Sequence, residues 1–165
     1  MKTSGTEFWE TKRLSQLTRR EWERLCDGCA RCCVHKLKAA TGRIYYTSVA
    51  CRLLDPTTCR CRRYRDRRKF VPGCVILDAA TIKRRSAWLP PTCAYRLLSE
   101  GKPLPAWHPL VTGDRDSTRK AGMSARDRTI SEADTDALGE QVLRVLTPPR
   151  RHRAVRPRRS TALNP

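Results

Sequence analysis

CDGCARCC, residues 26–33, is the stretch whose reading decides the fold. Two gaps of two residues lead from Cys26 through Cys29 to Cys32, and Cys33 follows at once. A C-x2-C turn can point two sulfurs at one metal. Three cysteines at that interval can wrap the edge of a cluster while a further ligand arrives from far along the chain. Thiolates favour zinc and iron–sulfur centres among cellular metals. The ferredoxin run C-x2-C-x2-C-x3-C-P is matched in part only, because the fourth cysteine here is immediate and no proline follows it. A structural zinc site would instead join one short-spaced pair to a second pair elsewhere, such as Cys59 and Cys61 or Cys74. Nine cysteines satisfy one site with spares, or two sites with one thiol left over.

Composition supports a metal over disulfides. The chain has 165 residues, 39% of them hydrophobic, with a mean hydropathy of −0.64. That suits one domain with a small core and much solvated surface. No apolar run approaches the length that crosses a bilayer. The start, MKTSGTEFWETKRLSQ, has neither the apolar stretch nor the small-residue cleavage site of a secretory signal. The expected compartment is therefore the reducing cytoplasm, where clustered cysteines bind metal or react. An odd total pairs badly, and Cys32 and Cys33 cannot bridge each other without straining the peptide between them. As mere packing residues, thiols this dense would invite oxidation. For the isolated Cys74 and Cys93, packing and ligation weigh about evenly. The net charge of +19 raises the question of an anionic partner, although thiolates on a divalent metal would reduce it.

Around the motif the elements are short. Thr18 and Glu21 form a capping box, with Leu17 and Trp22 as its hydrophobic staple. TRREWERL should be a helix that docks Trp22 and Leu25 on the core, and Asp27-Gly28 ends it. RIYYTSVACRLL reads as a strand, DPTT as a turn, and VPGCVIL as a further extended piece. Cys51, Cys59, Cys61 and Cys74 thus fall on strands or their connections. A helix is expected from about Thr92 to Glu100, closed by Gly101 and Pro103. PAWHPLVTG is a proline-bracketed turn, and GMSARDRTI a candidate strand. Ser131 and Asp134 would cap a last helix with Leu138, Val142 and Val145 or Leu146 on one face. From Pro148 the proline- and arginine-rich composition predicts a disordered basic tail. The expected division is a domain over 1–147 and a tail over 148–165.

These segments resemble the YcgN-like branch of the CxxCxxCC zinc- or iron-chelating domain family of bacteria. The resemblance runs through FWETKRLSQLTRREWERLCDGCARCCVHKL, IYYTSVACRLLDPTTCRCRRY, VPGCVIL, WLPPTCAYRLLSEGKPLPAWHPLVTG and ISEAD. It covers most of residues 8–146 and all nine cysteines, while the tail lies outside it. Arg119 stands where the family tends to show His, so no ligand role belongs there. What the resemblance implies is binding of zinc or iron.

Other residues admit plainer readings. His35 fits a surface or outer-sphere histidine better than a ligand. His108, between Trp107 and Pro109, should order its turn, and Tyr64 and Trp88 should be core residues. The run RCRRYRDRRK, residues 60–69, could grip phosphates with Tyr64 stacking on a base. The alternative, that its arginines offset nearby thiolate charge, uses the flanking cysteines and is preferred. No nucleophile elbow, zinc-protease, Walker or Rossmann pattern is present.

The expectation is an α+β fold: short helices around hairpins and turns, organised by a metal site. The candidate ligands are Cys26, Cys29, Cys32, Cys33, Cys51, Cys59, Cys61 and Cys74, and the cofactor is zinc or iron, including an iron–sulfur cluster. The function is metal binding. An Fe–S redox or catalytic protein and a nucleic-acid-binding module are the alternatives.

Overall fold

In the computed structural model, which describes residues 7–135, the capping box is present. Thr18 Oγ1 accepts from the Glu21 amide at 3.2 Å, and Glu21 Oε2 accepts from the Thr18 amide at 2.8 Å. Lys12, 2.5 Å from Glu21, and these amides hold the Glu21 carboxyl down at about 2. The box starts helix α2 (Arg19–Arg24), which follows a single turn, α1 (Phe8–Thr11). Thr18→Ala should cost about 1 kcal/mol, the usual worth of an N-cap, read as a lower melting temperature with metal content unchanged.

Two small cores share the chain. Trp9, Leu25, Ile82, Leu89, Ala94 and Tyr95 form one, among short helices that include α4 (Ile82–Arg85) and α5 (Ala94–Ser99). Ala30, Val34, Tyr46, Ala50, Leu54 and Ala125 form the other, beside the sheet. The cysteine loop runs from Leu25 in the first core to Ala30 and Val34 in the second.

The larger sheet has three strands, the central one paired with both others. Strands β1 (Val34–Lys38) and β2 (Ile44–Ala50) are antiparallel, with Val34 opposite Ala50 and Lys36 opposite Tyr46, and a bulge lies between. A two-stranded hairpin, β3 (Leu54–Asp55) with β4 (Arg60–Cys61), follows. Asp55 closes its turn by accepting from the Thr57 and Thr58 amides. Strand β5 (Ile130–Ser131) lies parallel to β2. The fold class is α+β, as expected.

Helix α5 ends as its glycine suggested. Gly101 adopts φ +68°, its amide donates to Leu98 O, and the Lys102 amide donates to Leu97 O, which is the Schellman pattern. The single turns α3 (Arg67–Phe70), α6 (Pro109–Thr112) and α7 (Ser117–Lys120) complete the α-helices among the described residues.

Four expectations need correction. VPGCVIL, expected as a short extended piece, joins no strand pairing: it opens with a turn at Pro72 and Gly73, closed by the Cys74 amide on Val71 O at 2.9 Å. Only the end of GMSARDRTI becomes strand, because its earlier amides are engaged by loops: Ala125 donates to Cys29 O and Asp127 to Pro56 O. Tyr64 and Trp88 are about half exposed, at 48% and 47%. Tyr64 is held at the surface by the Arg67 guanidinium 4.2 Å above its ring and by its hydroxyl, which donates to Glu23. Beside Trp88, the adjacent Leu89 takes the buried position. Ser131 does cap a turn, accepting from the Ala133 amide. The helix expected beyond it and the tail lie outside the described residues.

Candidate metal centre

The cysteine loop leaves helix α2 through a specific exchange of partners. The Cys29 amide, which would have continued the helix onto Leu25 O, binds Asp27 Oδ1 at 3.1 Å. Gly28 then adopts φ +68° and Ala30 φ +57°, so the backbone folds back on itself twice within the motif.

Carbonyls along this path are held from a distance. Tyr95 Oη donates to Trp22 O at 2.9 Å, and Thr118 Oγ1 to Asp27 O at 3.0 Å. The His108 ring binds Leu25 O at 3.1 Å, and the Ala125 amide binds Cys29 O at 2.8 Å. At the far end Lys36 Nζ donates to Cys32 O and Val34 O. Residues 95 to 125 thus fix a loop that begins at 26.

Cys26, Cys29, Cys32 and Cys93 open onto one pocket of about 40 Å³, with Asp27, Leu25, Leu77, Leu89 and Tyr95 among its walls. That exceeds the space a single water needs. Cys29 is buried, whereas Cys26 and Cys32 are exposed residues that still line a concavity. Crowding there pushes the Cys26 thiol up to about 12, with the thiol of Cys32 adding to the effect. Burial raises Cys29 well above its ordinary value, and Asp27 and Cys32 reinforce it. Burial also takes Cys93 to about 12.

Asp27 Oδ2 is buried with no hydrogen-bond partner among the described residues. An unpaired buried acceptor is costly, and the pocket that Asp27 helps to line also presents four thiols, which bind soft metals. The donor set therefore fits a thiophilic metal. Among the described residues no group of three or more His, Cys, Asp or Glu side chains is gathered closely enough to hold an ion as it stands.

The adjacent cysteines divide. Their sulfurs are 3.8 Å apart, but Cys32 lines the pocket while Cys33 packs against the sheet core. The contact with Cys33 holds the Cys32 thiol low, and Lys36 helps. The same contact, with burial and then the thiols of Cys74 and Cys51, raises Cys33. Cys51 is raised by burial and by Glu132, Cys74 and Cys61.

Cys59, among the expected ligands, sits apart: it contacts Ser124 Oγ at 3.5 Å and packs on the sheet core. Cys93, weighed evenly between packing and ligation, was not among the expected ligands, and the contact that brings it here is the docking of α5 on α2 through Tyr95 and Trp22 O. His35 Nε2 is engaged by Glu132 at 2.5 Å. His108 caps α6, accepting from the Leu110 amide. In the basic run, Arg63 lies over the Phe70 ring at 4.6 Å and Arg67 over the Tyr64 ring, so one face of each ring is taken by an arginine of the same run.

A family model described as a "putative zinc- or iron-chelating domain" matches residues 25–94. A UPF0260 protein of Rhizorhabdus wittichii is 56% identical over 137 residues, covering 82% of this chain and 93% of its own length. UPF0260 proteins of Granulibacter bethesdensis and Gluconacetobacter diazotrophicus are each 47% identical. They cover 97% and 94% of this chain, and 95% and 99% of their own lengths. The Granulibacter match spans 161 residues and so reaches past residue 147, where the sequence alone had placed the end of the resemblance. No solved structure matches. Among the described residues no helix is long and apolar enough to cross a membrane. With most of its length aligned to these relatives, the chain belongs to the UPF0260 family, and its cysteine loop lies in the CxxCxxCC domain.

Proposed function

We propose that the protein binds a thiophilic metal, zinc or an iron–sulfur centre, through Cys26, Cys29, Cys32 and Cys93. The observation that carries this reading is the shared pocket of these four residues, with an unpartnered carboxylate oxygen of Asp27 beside them. A four-thiol donor set favours zinc or iron–sulfur over harder cations. The bound metal would supply cross-linking of the fold and neutralise charge in the pocket. This chain's residues would orient the donors: Thr118 and His108 by holding loop carbonyls, and Lys36 by anchoring the end of the motif. Asp27 would set the turn between the first two cysteines through Oδ1.

Metal analysis and a visible spectrum of protein purified without oxygen test this. Zinc with a colourless solution identifies a structural or metal-handling role; iron with sulfide and a brown solution identifies a cluster and opens redox chemistry. Cys93→Ser should lose the centre. Retention of the full metal content by both Cys93→Ser and Cys26→Ser would sink the assignment.

A further inference from the structure

The run from Arg60 to Lys69 holds seven basic side chains and one acid, and metal binding makes no use of it. The arginine that acts most on the flanking Cys59 thiol is Arg126, outside the run. Arg60, Arg65, Arg68 and Lys69 are exposed, and among the described residues no hydrogen bond or ion pair engages their side chains. We propose that this run and the start of α2 form a binding surface for single-stranded nucleic acid, held by its phosphates.

Two distant segments build the surface. Tyr64 Oη donates to Glu23 Oε2 at 2.9 Å, across 41 residues of sequence, and sets the middle of the run against α2. Arg19 and Arg20 stand one helical turn before Glu23 and so share its side of the helix. Both are exposed, and neither side chain has a partner among the described residues. At the other end of the run, the guanidinium of Arg52 donates to Phe70 O and ties α3 to the chain just after β2. Cations gathered in this way without bound anions repel one another, and a polyanion relieves that repulsion. The net charge of the whole chain, +19, acts in the same direction.

The form of the surface selects the kind of polyanion. The run is carried by the two-residue strand β4 and the single turn α3. Neither is long enough to enter the major groove of a duplex as a recognition element, or to lie as an amphipathic helix in a lipid interface. A flexible single strand needs no such element. Cations follow its backbone, while aromatic rings and guanidinium planes receive its unpaired bases. Both kinds of plane are present here. Tyr64 and Phe70 are exposed rings with a guanidinium over one face, and the Arg63 side chain that covers Phe70 is itself more than half exposed. Phosphate contacts carry no base sequence, so the strand is recognised by its charge and by its lack of pairing.

The test is fluorescence anisotropy of a short labelled DNA single strand of mixed sequence, titrated with the full-length protein at several salt concentrations. Binding is expected, its logarithm falling linearly with the logarithm of salt. Arg65→Ala, Arg68→Ala and Lys69→Ala made together remove three phosphate contacts. The slope should become shallower by about 2, and affinity near 0.1 M salt should fall about a hundredfold. Arg19→Ala with Arg20→Ala should weaken binding about 20-fold by the same relation. All five side chains are exposed, so the melting temperature should stay the same in both variants. Arg150→Ala, Arg151→Ala and Arg153→Ala together remove the same charge from the C-terminal stretch and should cost less than the change in the run. No binding by the unmutated chain, or a loss in the C-terminal variant as large as in the run variant, overturns the proposal. So does a duplex of the same sequence that binds as tightly as the single strand. Binding to phosphatidylserine vesicles in place of the strand would assign the surface to a membrane and overturn it as well.

Discussion

Cys29→Ser is expected to lose the bound metal and to melt about 15 °C below the unmutated protein. The magnitude follows from mass action. A ligand present at a thousand times its dissociation constant stabilises the folded state by about 4 kcal/mol, and a domain of this size loses about 4 °C per kcal/mol. Cys29 is the cysteine to change because it is the buried one of the loop, between Leu25 of the helical core and Ala30 and Val34 of the sheet core. Neither cluster is large, so a cross-link at their junction adds stability that small cores need. Serine keeps the shape and removes the soft donor. Chelation of the unmutated protein should reproduce the drop, and Cys59→Ser, whose thiol meets Ser124, should retain the metal. Circular dichroism melting beside metal analysis reads both. An unchanged melting temperature with metal retained in Cys29→Ser would show that Cys29 is not a ligand.

What the sequence could reveal was set by how local each signal is. The capping box, β2 and the glycine-terminated α5 depend on residues within a few positions of one another, so Thr18, Glu21 and Gly101 announce them. Strand β1 was not foreseen: VHKLK alternates only weakly, and it exists because Val34, Lys36 and Lys38 pair with β2. The metal motif was legible as spacing, but the place of Cys93 beside it was not, because that depends on α5 docking on α2 through Tyr95 and Trp22 O. Tyr64 illustrates the opposite failure. An aromatic ring in a small protein suggests a core position, yet arginines in the same run supply its face at the surface. The bonds that hold the loop reach across gaps as long as that from Asp27 to Thr118, and no local pattern encodes them.

His108→Ala should destabilise the protein by about 3 kcal/mol through a route that involves no metal ligand. His108 is fully buried. Its Nδ1 accepts from the Leu110 amide at 3.1 Å, which assigns the proton to Nε2, and Nε2 then donates to Leu25 O at 3.1 Å. One neutral ring therefore starts α6 and closes the end of α2 beside the first cysteine. Removing it leaves a buried carbonyl and a buried amide unsatisfied, each at about 1–3 kcal/mol, with a ring-sized gap besides. A protonated ring would set a second N–H against the Leu110 amide. Burial above all holds the pKa of His108 below 6.5, so between that folded-state value and 6.5 the unfolded chain carries a proton that the folded chain lacks. Stability therefore rises with pH through this window, and the contribution is lost as the pH falls. The comparison is with His108→Gln, which retains an amide for hydrogen bonding and does not titrate. The difference in stability between the two proteins should grow from about pH 5 to about pH 7, and effects of acid on the thiols, common to both, cancel. A difference that is flat across that range would mean that the ring is not held neutral by its two partners.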